Sequence, residues 1–162
     1  MNRSSLSKLV IAVVLLGVAI FMFSRFLRQG DGLSEGTFFY DLSEKKLFTA
    51  PREAIAPIRG LNDAEEDAVR AVVISVGSNP NDKSSRKIAY LEKYAPELKR
   101  QLEKVRLGQA EPPARDVRNN LRMVKRVEDT EWYPVGSPNG EKVLSEWNVA
   151  GPDGNFPVVC VP

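Results

Sequence analysis

The chain has 162 residues, with 23 Lys and Arg against 21 Asp and Glu, and a formal charge of +2. So small an excess implies no general affinity for nucleic acid. Histidine is absent and Cys160 is the only cysteine, which excludes Ser-His-Asp and Cys-His catalysis, His-based metal sites, multi-cysteine zinc sites and an intrachain disulfide.

Residues 9–24 carry no charged side chain, and residues 9–23 are all apolar or glycine. As a helix, the charge-free run covers roughly 24 Å at about 1.5 Å per residue. That is a little short of the roughly 30 Å hydrocarbon core. Leu6, Phe26 and Leu27 lengthen it, and Lys8, Arg25 and Arg28 can reach the headgroups. The run has no polar face for an interfacial helix. It closes on Phe21, Met22, Phe23, Ser24 and Arg25, not on the small residues that mark a cleaved signal peptide. Residues 1–28 therefore read as an N-terminal tail and a single transmembrane anchor, with the lipid bilayer as partner through residues 9–24. Arg3 and Lys8 before the run balance Arg25 and Arg28 after it, so the positive-inside count is a tie. The short leading tail favours a signal-anchor with the C-terminal domain exported from a bacterial inner membrane.

Residues 29–36 are glycine-rich and read as a flexible linker to a domain over 37–162. Residues 37–40 and 47–49 read as two strands of a hairpin around the polar turn 41–46. Pro51 and Pro57 mark a loop, and the acidic stretch 61–68 a solvated turn or short helical segment. Residues 69–76, nearly all apolar and β-branched, predict a central strand covered on both faces. Beyond it, Ile88, Leu91, Ala95, Leu98, Leu102 and Val105 recur at steps of three and four, which predicts a helical region from Ser84 or Ser85. Pro96 either kinks that helix or begins a second one, and Gly108, Pro112 and Pro113 end it. Residues 121–127 and 132–135 read as two short strands. Ser137 and Pro138 open a short helix through Trp147, and residues 156–161 form a closing strand. The expected fold is α+β: a single N-terminal transmembrane helix, then a small domain with helices packed on a mainly antiparallel sheet.

Residues 77–84, G-S-N-P-N-D-K-S, match the phosphate-loop spacing G-x-x-x-x-G-K-[ST] except at Asp82. There the pattern needs a glycine for close backbone approach to phosphate, and Asp82 adds a negative charge instead. A nucleotide-dependent enzyme is thus the weakest reading, and a polar turn the default. Asn79, Asn81 and Asp82 lack the spacing of a calcium loop. No catalytic residue, cofactor or metal is expected. Cys160 sits in an apolar segment with no histidine to activate it, and reads as a small buried hydrophobe, with an intermolecular disulfide in an oxidising compartment as the alternative.

Charge is unevenly spread. Residues 83–127 hold thirteen basic and five acidic side chains, whereas residues 128–162 hold one basic and six acidic. A basic helical face with Lys99, Arg100 and Lys104, and the pair Trp132 and Tyr133, are the candidate interaction surface. The alternative for each is ordinary: a solvated helix face and aromatic packing. The N-terminal apolar run, the segment 39–48 (F-Y-D-L-S-E-K-K-L-F) and the ending Cys160, Val161, Pro162 together resemble small membrane-anchored bacterial envelope proteins. That resemblance implies an envelope location and no particular activity. Pilin-like proteins also join an apolar helix to an α+β head, but need an early acidic residue; none precedes Asp31 here. The leading expectation is a single-pass, non-catalytic interaction or assembly domain exposed outside the cytoplasm, with other envelope proteins as partners. The alternative is a module binding anionic lipid or an envelope polymer through its basic face.

Overall fold

The structure, a computed structural model, describes residues 36–62, 65–76, 82–151 and 154–162, together with Leu16, Gly17 and Ala19. The chain divides between Leu33 and Ser34 into two units. In the first, Leu16, Gly17 and Ala19 are helical; the rest of the expected anchor and the linker up to residue 35 lie outside the described residues. No helix among the described residues is long and apolar enough to cross a membrane.

The second unit is an α+β domain on a seven-stranded sheet in which every pairing is antiparallel. Strands β1 (Gly36–Asp41) and β2 (Lys46–Pro51) form the expected hairpin, with Phe39 opposite Phe48. Gly36, assigned above to the linker, is the first strand residue. β3 (Ala68–Ser75) is the centre of the sheet. Its first half pairs with β1, its second half pairs with β7 (Val158–Cys160) on the same side, and β4 (Arg86–Tyr94) runs along its other side. β5 (Arg122–Lys125) and the two-residue β6 (Tyr133–Pro134) complete the order β2-β1-β3-β4-β5-β6.

Three helices join the strands: α1 (Pro96–Arg106), α2 (Arg115–Leu121) and α3 (Pro138–Ser145). Pro96 stands at the first position of α1, where its missing N–H and fixed φ cost nothing. Ser137 caps α3, its Oγ accepting from the Gly140 N–H at 3.1 Å, with Pro138 at the first helical position.

The helix expected from Ser84 or Ser85 is absent before Pro96. A single 3-10 turn (Lys83–Ser85) leads straight into β4, and Asp82 rather than either serine caps it, accepting from Ser84 N at 2.9 Å and Ser84 Oγ at 2.7 Å. The sheet explains the mistaken period. Val72 pairs with Tyr90 but Val73 pairs with Ile88, so the ladder steps past Ala89 in a β-bulge. The extra residue puts Ile88 and Leu91 on one face at a spacing of three, where a regular strand would use two. A helical step is thereby copied by a bulged strand.

Strand alternation sorts the side chains between two faces. One carries Phe38, Val69, Ala71, Val73, Leu91 and Cys160 as a buried cluster, with Tyr40, Leu42, Ile88, Val127 and Trp132 packed against it. Cys160 is buried there, as its apolar surroundings predict. The other face carries Phe39, Asp41, Tyr90, Glu92, Tyr94, Arg122 and Val124. The helices contact β4, β5 and β6, and bury Leu98 of α1 and Val143 of α3. Burying such a leucine or valine contributes about 1.5–3 kcal/mol.

Asp41 ties the hairpin to the loop that follows it. Its Oδ1 accepts from Ser43 Oγ at 2.9 Å and Glu44 N at 2.8 Å, and its Oδ2 from Leu61 N at 2.7 Å. The Glu44 N–H, ahead of the opposing effect of burial, holds this carboxyl below its ordinary value, with the Leu61 and Ser43 donors adding to it. Gly60 lies against this cluster: a side chain there would run into the Asp41 carboxylate and come within 2.7 Å of Asp67 Oδ1.

Candidate functional site

The structure separates the residues proposed from sequence. Lys99 is committed within the fold. Its side chain is only 13% exposed; Nζ is 2.6 Å from Glu66 Oε2, donates to the Pro57 carbonyl at 2.7 Å and lies 3.9 Å from Glu103. It fastens α1 to the loop after the hairpin. Arg100 and Lys104 are exposed on α1, with Arg100 at 4.0 Å from Glu97. At that distance an exposed pair contributes little, so Arg100 and Lys104 are the available part of the face.

Trp132 packs against the buried cluster of the first sheet face. Lys93 Nζ sits 4.4 Å and Lys125 Nζ 5.4 Å from its ring centroid. The pairing Leu91 with Lys125 and Lys93 with Met123 puts both lysines on that face, and the indole offers its negative π surface to two neighbouring ammonium groups. Burial first, and then the Lys125 charge, depress the Lys93 pKa. Lys125 is also held by the Asp129 carbonyl at 2.7 Å. Trp132 is thus largely engaged inside the domain. Tyr133 is half-buried in β6, opposite Val124 on the other face. The Lys99–Lys104 side and the Trp132–Tyr133 pair are therefore not one contiguous motif in sequence or in strand register.

A more coherent constellation lies on the helical side of the sheet. Tyr94, Leu102, Arg115, Arg118, Asn119 and Arg122 line a cavity of about 280 Å³. Its floor comes from the cross-strand pair Tyr94 and Arg122. Leu102 of α1 forms an apolar wall, and Arg115 and Arg118, one turn apart on α2, share a face. The side chains of Arg115 and Arg118 make no hydrogen bond or ion pair with a described residue.

Arg122 is anchored differently. One terminal nitrogen donates to Glu92 Oε2 at 2.5 Å, across a carboxylate that is only 3% exposed, while Arg122 is 38% exposed. Its Nε is buried without a hydrogen-bond partner among the described residues. Burial opposes its charge, but the Glu92 bond and the Glu92 charge outweigh that and raise its pKa. Burial, followed by the Glu92 charge, raises the pKa of Tyr94 as well, so its hydroxyl keeps its proton at neutral pH. The cavity thus presents three guanidinium groups, one already neutralised by Glu92, beside a phenol and an amide. That set can hold an anion. It includes no described group placed as a general base next to a nucleophile.

Reading the sequence for helical stripes misses this site because α2 has none. Among its residues only Val117 and Leu121 are apolar, none is buried, and Ala114 supplies no side-chain cap. The retrievable signal is the arginine spacing 115, 118, 122, at steps of three and four. Among the described residues no group of three or more His, Cys, Asp or Glu is placed to hold a metal ion. Of the phosphate-loop-like stretch, residues 77–81 lie outside the described residues, and Asp82 is used as the cap of the 3-10 turn. Comparison with protein-family models, curated proteins and solved structures finds no match to this chain.

Proposed function

We propose that this chain is a single-pass, membrane-anchored, non-catalytic interaction domain, held by residues 9–24 and presenting its α+β head outside the cytoplasm. The observation that carries this reading is the charge-free apolar run over residues 9–24, joined to a domain of opposite character. The absence of histidine from the sequence supports a binding rather than a catalytic role. Exposed apolar side chains at the C-terminal strand, Phe156, Val158, Val159 and Val161, offer contact area to a protein partner. The test is fractionation. After lysis without detergent the chain should sediment with membranes, resist alkaline carbonate and dissolve only in detergent. Recovery in the soluble fraction would refute the anchor.

A second reading is favoured by the arginine cavity. In it the helical side of the head binds an anionic lipid or envelope polymer, with Arg115 and Arg118 as unspent charge and Arg100 and Lys104 exposed nearby in sequence on α1.

A further inference from the structure

We propose that Arg115, Arg118 and Arg122 form a receptor for one phosphate monoester group, closed on one side by Tyr94 and Leu102. This deepens the second reading above and rests on it.

Charge balance selects the ligand class. Arg122 already shares its charge with Glu92 at 2.5 Å, which leaves Arg115 and Arg118 as two uncompensated cations lining one cavity. Two like charges at a spacing of three on one helix repel each other. A ligand carrying close to two negative charges on one centre offsets both, and a phosphate monoester does so at neutral pH. A carboxylate carries half of that and leaves one guanidinium unmatched.

Hydrogen-bond geometry points the same way. Guanidinium forks donate pairwise to phosphate oxygens. The three arginines line one cavity, so their forks can converge on a compact tetrahedral group. Arg122 is held in place by its bond to Glu92, and its buried Nε has no partner among the described residues. Asn119 adds a neutral donor. Leu102 gives the ester carbon an apolar surface, which inorganic phosphate does not need and an organic phosphate can use. The cavity volume of about 280 Å³ admits a phosphate group with a short organic attachment.

The group can come from a membrane lipid headgroup or from a free small phosphate ester, and one experiment separates them. The full chain in a neutral detergent is titrated at constant ionic strength with inorganic phosphate and, separately, with soluble dihexanoyl phosphatidic acid. Both should bind saturably. Arg115→Gln combined with Arg118→Gln should weaken each by more than about 10-fold, as expected for losing two charge-assisted contacts. Arg100→Glu with Lys104→Glu should leave inorganic phosphate binding within about 2-fold. Phosphatidic acid binding more than about 10-fold tighter than phosphate assigns the site to a lipid headgroup; any smaller difference assigns it to a free, soluble phosphate group. No saturable binding, or binding indifferent to the Arg115 and Arg118 changes, overturns the receptor. If the chain then still binds phosphatidylglycerol mixed micelles in a salt-sensitive manner that Arg100→Glu and Lys104→Glu abolish, the broader basic-face reading survives while the phosphate receptor does not.

Discussion

Arg122→Ala should destabilise the domain by about 3 kcal/mol, measured by urea unfolding of the head at neutral pH. Glu92, 3% exposed and bonded to Arg122 at 2.5 Å, would be left as a buried carboxylate without its counter-charge. Removing one partner of a buried pair typically costs about 3–5 kcal/mol. The lower end applies because Arg122 is itself 38% exposed, so water can enter the space it vacates. Glu92→Gln should cost distinctly less, since an amide oxygen can still accept from Arg122 and the remaining cation can reach solvent. Equal costs for the two substitutions, or a loss below about 1 kcal/mol for Arg122→Ala, would show that the pair is not what orders this end of the sheet.

Gly140→Ala provides a test in which packing and propensity have opposite signs. Gly140 is buried in the first turn of α3, and alanine there would gain about 1 kcal/mol from helix propensity alone. Its Cβ, however, would overlap the Pro134 carbonyl oxygen and lie 2.9 Å from the Pro134 carbonyl carbon and 3.1 Å from Val135 Cα. All three are backbone atoms, so no side-chain rotation relieves the clash. The Pro134 carbonyl also accepts from Ser137 N at 2.9 Å and Ser137 Oγ at 2.7 Å, and pushing it away weakens the turn that starts the helix. Overpacking of this kind costs about 1–3 kcal/mol, and the net expectation is a loss of about 2 kcal/mol in thermal or urea unfolding. A stabilised Gly140→Ala variant would mean that α3 does not rest on β6 at this distance.

Much of this fold is legible from local chemistry. The hairpin is set by Phe38, Phe39, Tyr40 and Phe48 around a polar turn, and β3 by its β-branched run. α3 is set by Ser137 and Pro138. These elements state their own conformation within a few residues. β4 does not, because its face is determined by a bulge that forms only against β3. The resulting three-residue step from Ile88 to Leu91 continues into the true helical steps after Pro96, so one stripe crosses two different structures. α2 is illegible for the opposite reason. It buries no side chain of its own, and its arginines serve a cavity rather than a core.

The same distinction governs the site. Lys99, Arg100 and Lys104 form a basic run in sequence, but ion pairing commits Lys99 to Glu66 and Glu103. Trp132 reads as an aromatic platform until the two lysines over its ring are placed. The arginine cavity needs the register that sets Tyr94 opposite Arg122 and the packing that brings α2 beside α1. No run of adjacent residues encodes either.

The tether itself is tested most directly by the intact mass of the chain extracted from membranes. The anchored account predicts a polypeptide that still contains residues 9–24. A mature N-terminus beyond Arg28 would contradict it, and the head would then act as a secreted, freely diffusing domain.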